Sequence, residues 1–444
     1  MGPALSRRTA RFRWLVILML VMNSVINSLD RGSLAIANPL ISAELHLSPV
    51  RMGLLLSAFL WAYALAQLPS GFLIDRWGPR RMITGSIVLW SLSQMAGGLS
   101  RGLGQFFTAR LALGLFEAPN APSAAAVLAS WFRREKRGLP ISLVFSGGQL
   151  GALVGPPVLT ALMLAFGWRA MFLICGAAGL VVVTIWTLLY RSPAQLGLAP
   201  AEQAEIGADD ARPSRRFEFS DWRTLFRHRT MWGLILGFGC QNYVMWLFLT
   251  WLPAYLQKAH HVSIAHTGVL AAVPPLFGYL GALASGPLSD ALIAGGMPVL
   301  LARRAMPVAG MVGVTLFAFP LGLGPSLPVA LALISGALFF SHIAGAGCWA
   351  LVTVIAPQRI VGSVGSVMNF GGYIGAALAP IVTGATLEAT GSFVTSLLLG
   401  AAMAAVAGCF YASLIRGPIP DADEPQTEPA AAGAAESRWT TRGA

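Results

Sequence analysis

Gly71-Phe-Leu-Ile-Asp75-Arg76-Trp-Gly78-Pro-Arg80-Arg81 closes one apolar run of this chain, and a second version, Gly286-Pro-Leu-Ser-Asp290 followed by Arg303 and Arg304, closes another. Gly and Asp both recur at an offset of 215 (286 − 71 and 290 − 75), close to half of the 444 residues. The chain therefore reads as two parallel halves, with a site expected where they meet. Gly lets neighbouring helices approach, and Asp at a helix end pairs with Arg or with an adjacent helix N-terminus. A lone Gly-x-x-x-Asp would be an ordinary charged turn. Arg76, Gly78, Arg80 and the repeat copy make the pattern specific.

Composition says what surrounds these halves. Hydrophobic residues make up 56% of the chain and charged residues only 11%, against roughly 25% charged in soluble domains. A spanning helix needs about 20 apolar residues, and such runs recur about twelve times from Trp14 to Leu414. The expected fold is an all-α membrane protein, with twelve transmembrane helices in two six-helix pseudo-symmetric bundles. The bundles are expected at 1–190 and 230–415, joined by a polar linker at 191–229, with a disordered, Pro-, Ala- and Glu-rich tail at 416–444. The basic start followed by an apolar stretch mimics a signal peptide, but Asp30 and Arg31 interrupt it and further spans follow, so it reads as an uncleaved first helix.

The net charge of +12 would point to nucleic acid in a soluble protein. Its distribution points elsewhere. Of 30 Lys and Arg, 24 fall on one side of the expected layer, four (Arg51, Arg101, Arg169, Lys258) on the other, and two inside it. This asymmetry orients both termini to the cytoplasm, in an inner membrane, with no nucleic-acid role. Cys175, Cys240, Cys348 and Cys409 all lie in apolar runs, without disulfide or metal spacing. No nucleotide loop, metal cluster or nucleophile–base arrangement is present, so no enzyme and no cofactor are expected, and driving energy must come from an ion gradient. A monomer in the bilayer is expected.

Once loop charges are assigned, Asp30, Arg31, Arg110 and Glu117 remain well inside spans, with Glu388 near a helix end. Ionisable residues inside a membrane are functional candidates by default. Arg110 and Glu117, seven apart, share one helix face. Asp30 and Arg31 are neighbours and point about 100° apart, so they serve different partners. A network between helices 1 and 4 facing a cavity is expected; two static ion pairs holding the first half together are the alternative. Burial disfavours a charged carboxylate and a neighbouring guanidinium favours it. An anion that draws the Arg away leaves the acid to take a proton, which couples anion binding to protonation.

These residues sit in stretches that resemble the major facilitator superfamily, and within it the anion:cation symporter family: Leu29-Asp30-Arg31, Ser57-Ala-Phe-Leu-Trp61-Ala-Tyr63, Arg110-Leu-Ala-Leu-Gly114-Leu-Phe-Glu117-Ala-Pro119, Ser130-Trp131-Phe132, Phe248-Leu-Thr-Trp251-Leu-Pro253 and Asn369-Phe370-Gly371. The resemblance runs to about residue 415. It implies proton coupling at Asp30 and Glu117, carboxylate binding at Arg31 together with pairing to Asp30 beside it, and coupling of Arg110 to Glu117. It also implies a substrate cavity lined by Tyr63, Gln149, Trp349 and Asn369, each with packing as the alternative. The Gly71, Asp75, Arg76, Gly78 and Arg80 loop is implied to gate. The function implied is proton symport of an organic anion, such as a sugar acid or another small or aromatic carboxylate.

The sequence also departs from the family's hexonate pattern. Ser28 stands where a tyrosine is expected, and Ala346, Cys348 and Ala350 stand where hydroxyl residues are expected near Trp349. Fewer hydroxyls point to a less hydroxylated ligand. His342 is an added polar group. Gly151-Ala-Leu-Val-Gly155-Pro156 resembles the front of a drug:proton antiporter signature, but Pro157-Val-Leu-Thr160 replaces the paired glycines that should follow. A transport-like membrane sensor is the alternative of another class, and the 191–229 segment is too short to supply its signalling domain.

Overall fold

A computed structural model describes residues 6–133, 137–198, 225–356 and 361–419, together with residues 202 and 206. Most of the expected linker and nearly all of the expected tail lie outside the described residues. The helices are α1 Arg7–Glu44, α2 Pro49–Trp77, α3 Pro79–Leu99, α4 Leu103–Glu117, α5 Asn120–Trp131, α6 Gly138–Leu189, α7 Arg229–His260, α8 Ile264–Leu270, α9 Val273–Ala294, α10 Val299–Ala318, α11 Leu327–Ile355, α12 Val361–Thr390 and α13 Val394–Leu414. Among the described residues, ten helical stretches are long and apolar enough to cross a membrane. One of them, α6, has 52 residues, about 78 Å at 1.5 Å per residue, far beyond the roughly 30 Å hydrocarbon layer. Gly167, at φ +83° and ψ +161°, breaks it into two crossings with backbone angles that only glycine adopts readily. Adding α3, which is 21 residues long but less apolar, gives twelve crossings and puts both described ends on one face.

Local chemistry sets the breaks. Pro119 and Pro274 interrupt the fourth and eighth crossings, at the α4/α5 and α8/α9 junctions, because proline lacks the N–H that continues the ladder. Gly78, at φ +79°, ends α2 and precedes α3. The first helix begins earlier than its apolar run because the Ser6 hydroxyl accepts from the Thr9 backbone N–H at 3.3 Å and caps it.

The halves repeat one packing scheme. In the first half α1 lies on the front of α6, α2 on α4, and α3 on the back of α6; in the second, α7 lies on α12, α9 on α11, and α10 on α13. The corresponding pairs α1/α6 and α7/α12 both close over glycine. A Cβ at Gly147 or Gly151 would press on the Val21 and Val25 carbonyls, and one at Gly375 would run into the Gly239 carbonyl. Small residues let helices pack where lipid gives no hydrophobic drive. The Gly151–Gly155 stretch with the antiporter look thus lies in this α1/α6 seam, with Ser28 and Leu29 as its neighbours.

The halves meet through α2/α12, α1/α7 and α6/α8. On the face opposite the chain ends this junction is sealed. The Glu388 carboxylate accepts from the Val50 backbone N–H at 2.9 Å, at the α2 N-terminus where orphan donors attract anions. One and two turns deeper, Gly53 lies under the Pro380 carbonyl and the Ser57 hydroxyl donates to the Ala377 carbonyl at 2.6 Å. Gly384 lies under the Pro49 carbonyl in the same seam. Gly53→Leu and Gly384→Leu are therefore expected to force this face apart without unfolding either bundle. Spin labels at the exposed Arg51 and Ser392 should report a longer distance in each variant, and an unchanged distance would show that the seam does not depend on glycine.

Candidate functional site

The deepest polar group of the fold is the one assembled from α1 and α4. Asp30 and Glu117 are fully buried and Arg110 nearly so, while the Arg31 side chain keeps 23% of its surface. Arg31 donates its Nε–H to Glu117 Oε1 at 2.5 Å. Arg110 reaches the backbone carbonyl of Asp30 with Nη1 at 3.4 Å. Arg31 thus pairs across helices with Glu117 rather than with Asp30 beside it, while Arg110 lies within electrostatic range of both acids. Adjacent residues on a helix point apart, so Asp30 and Arg31 cannot share one partner. Glu117 is the last residue of α4, directly before the Pro119 break.

Aromatic rings complete the group. The Arg31 and Arg110 guanidinium carbons lie 5.3 Å and 5.4 Å from the Phe59 ring centre, and Arg31 lies 4.9 Å from that of Tyr63. A ring face attracts a cation, so α2 holds both guanidinium groups in place without competing for their hydrogen bonds. Tyr63 in turn meets Tyr373 of α12 in a tilted ring contact at 4.7 Å, which links the site to the other half. Phe59, Tyr373, Trp90 and Asn27 were not singled out from sequence. Phe59 lies one turn from Tyr63, and Tyr373 one turn from Asn369, so helical spacing from the named residues would have found both.

Hydrogen bonding here is incomplete. Among the described residues, both Asp30 carboxylate oxygens, Glu117 Oε2, Arg110 Nε, Trp90 Nε1 and Asn27 Nδ2 are buried without a hydrogen-bond partner. Two acids and two guanidinium groups balance in charge, and the donors nearest the unpartnered oxygens are Trp90 for Asp30 and Asn27 for Glu117. A partly satisfied buried network is costly in low dielectric. This arrangement can exchange partners or protons.

A cavity of about 270 Å³ opens beside Arg31, bordered by Asn27 and Ser28 of α1, Gln149 of α6, Trp246 and Phe248 of α7, and His342 of α11. That is just under the roughly 300 Å³ at which small-molecule sites usually begin, so it suits a compact solute. Arg31 and Gln149 border it; Tyr63 is buried behind Arg31. Asn369 and Trp349 lie outside its lining: Trp349, 46% exposed, sits edge-on to Phe238 at 6.3 Å. Ala346 and Ala350 face a separate hollow with Ser285, Ser289 and Arg303. Of the departures from the hexonate pattern, Ser28 and the added His342 border the main cavity. In the loop motif, Arg80 donates to Gln195 Oε1 at 3.1 Å, and Asp290 of the second copy pairs with Arg303 at 2.8 Å. Gly71 and Gly286 have no atom within 4 Å of a Cβ position, so neither serves a close helix approach in this conformation. Asp75 and Arg76 are exposed.

The ion pair makes a measurable prediction. Glu117→Leu leaves the Arg31 guanidinium uncompensated and is expected to destabilise the protein by about 3–5 kcal/mol. Arg31→Leu combined with Glu117→Leu should be milder than the sum of the two single changes by about 1 kcal/mol or more. Unfolding of the four proteins in detergent without ligand measures this, and additive changes would show that the pair is not coupled.

Residues 20–380 match the Major Facilitator Superfamily. The chain is 40% identical over 417 residues to the probable L-galactonate transporter of Escherichia coli K12, covering 94% of this chain and 92% of that one. It is 33% identical to the probable galactarate/D-glucarate transporter GudP of Bacillus subtilis 168, covering 92% of each. Among solved structures it resembles a bacterial homologue of the human lysosomal transporter Spinster, in an inward-facing and occupied conformation, with TM-score 0.74 at 20% identity over 90% of this chain and 96% of that one. The xylose transporter XylE of E. coli in its inward-open conformation matches with TM-score 0.72 at 14% identity, over 91% and 96%. Twelve crossings in two like halves, a charged cavity between them and near full-length likeness to such transporters agree: this chain belongs to the Major Facilitator Superfamily.

Proposed function

We propose that this protein is a secondary active transporter that imports a sugar acid in symport with protons across the bacterial inner membrane. The observation that carries the reading is the state of Arg31. It alone of the four buried charges borders the cavity, and its guanidinium is already engaged by a fully buried carboxylate, Glu117. An arriving carboxylate competes for the same planar fork, which suits two-point binding. When the fork turns to the solute, Glu117 loses its counter-charge in a dry site and takes up a proton. Asp30, whose nearest side-chain donor is Trp90, is the second proton site, and Arg110 sets the field for both acids.

The names of the relatives support a hydroxylated substrate, L-galactonate or a related sugar acid, over the less hydroxylated one that Ala346, Cys348 and Ala350 point to. Tyr63 and Gln149 are assigned to the substrate site beside Arg31. Trp349 and Asn369 are assigned to it in the conformation that brings α11 and α12 inward. The basic asymmetry supports a cytoplasmic location for both termini. On that orientation the sealed Glu388–Val50 face is extracytoplasmic and the conformation faces inward. Gly71, Asp75, Arg76, Gly78 and Arg80 are then assigned to the opposite gate, which closes when the halves meet on the cytoplasmic face. The halves correspond to 1–190 and 230–415 around a 191–229 connection, and a single chain forms the pathway.

In proteoliposomes, an inward acid gradient should accelerate L-galactonate accumulation and a protonophore should collapse it. Equal accumulation under a sodium gradient without a proton gradient would refute symport with protons. Glu117→Gln cannot exchange its proton, so it should lose gradient-driven accumulation while keeping some exchange of internal for external substrate. Arg31→Lys should weaken binding at least tenfold, because an ammonium cannot reproduce the fork. Normal affinity in Arg31→Ala would remove Arg31 from the site.

A further inference from the structure

The second half presents an almost wholly apolar wall to the cavity, with Met245, Phe248, Leu249, Leu252 and Pro253 of α7. His342 of α11 interrupts it. Its Nδ1 lies 2.9 Å from the Leu338 carbonyl, one turn back on the same helix. A carbonyl only accepts, so Nδ1 carries the hydrogen, and the neutral ring leaves Nε2 as an acceptor. The ring rests on bare backbone: a Cβ at Gly278 of α9 would come within 2.7 Å of its Cε1 and Nδ1. Among the described residues Nε2 has no hydrogen bond, and it is not among the polar atoms shut away from the surface. A histidine that merely fills the seam between α9 and α11 would not need this combination of a fixed tautomer, a glycine seat and an open nitrogen beside the cavity.

We infer that His342 is the specificity contact of the second half, accepting a hydrogen bond through Nε2 from a hydroxyl of the bound sugar acid while Arg31 of the first half holds the carboxylate. This rests on the sugar-acid reading above. Arg31, Asn27, Ser28 and Gln149 all belong to the first half, so a polyhydroxylated chain whose far end meets α7 finds hydrocarbon and the Trp246 indole, which can donate but not accept, unless His342 supplies an acceptor. The contact also ties the solute to both halves at once. A solute held by one half alone gives no differential contact between the two arrangements of a transporter, and so no reason for them to interconvert around it.

Titration calorimetry on the purified full chain tests this with L-galactonate and with hexanoate, which has the carboxylate but no hydroxyl. His342→Leu should weaken L-galactonate about tenfold, the size of one neutral hydrogen bond, and leave hexanoate unchanged. His342→Gln, whose amide oxygen can replace the acceptor, should recover most of the loss. Gly278→Ala should displace the ring and weaken L-galactonate similarly, with no further loss when added to His342→Leu. The inference is overturned if His342→Leu binds L-galactonate as the wild type does, or if both ligands weaken equally in the Leu and Gln variants. Should His342→Leu not fold, the Gln and Gly278 variants decide alone. Wild-type protein that binds no hexonate overturns the sugar-acid reading and this inference together, whereas normal wild-type binding with an indifferent His342 overturns only the latter.

Discussion

The bond between Arg31 and Glu117 organises this molecule because Glu117 is fully buried and Arg31 only partly exposed, so water solvates the pair poorly. Removing an ion from water costs several kcal/mol even after relaxation, and attraction to a partner offsets that only when the geometry is close. The pair meets at 2.5 Å, and Phe59 and Tyr63 fix the guanidinium from the side. Around it the contacts are looser: three carboxylate oxygens and the Arg110 Nε have no close hydrogen bond, with Trp90 and Asn27 as the nearest donors to the acids. A network built only to hold helices together would be fully satisfied, or replaced by small residues as in the α1/α6 seam. Incomplete satisfaction fits a group whose members change partners.

The scaffold that carries this group is symmetric and its chemistry is not. The same helix pairs recur in both halves, and the same glycine-lined approach joins α1 to α6 and α7 to α12. Yet all four buried charges of the cluster belong to the first half, while the second contributes rings, aliphatic side chains and His342. Repetition answers the demand that every backbone group be satisfied inside the layer. The charge asymmetry gives the cavity one wall for an anion and one for the rest of the solute. The Glu388–Val50 contact and the Gly53 and Gly384 seam close one face of that cavity with hydrogen bonds and small residues, which separate at low cost.

Much of this was legible in the chain because it depends on local quantities. Hydropathy over about 20 residues marks a span, the Gly71–Arg80 copy marks the repeat, and a charge inside an apolar run marks its own importance. Asp30, Arg31, Arg110 and Glu117 stood out for that reason, as did the need for Asp30 and Arg31 to face different partners. Trp90 does not stand out, since an aromatic residue in an apolar run carries no signal of what lies across from it, and Phe59 and Tyr373 are marked only by lying one turn from Tyr63 and Asn369.

The sequence by itself determined the solvent, the spans, the two-fold repeat and the identity of the charges to be accommodated, since each follows from the free energy of single segments in water or lipid. Only the tertiary structure decided which acid Arg31 meets: Arg31 of α1 and Glu117 of α4 are 86 residues apart, and α4 in turn packs closely on α2 with Gly114 under the Phe59 carbonyl. The tertiary structure also decided that Ala346 and Ala350 turn to a separate hollow while His342 turns to the cavity. Those outcomes depend on how helices rotate against one another, and helix rotation is set by packing between distant segments rather than by any property of one.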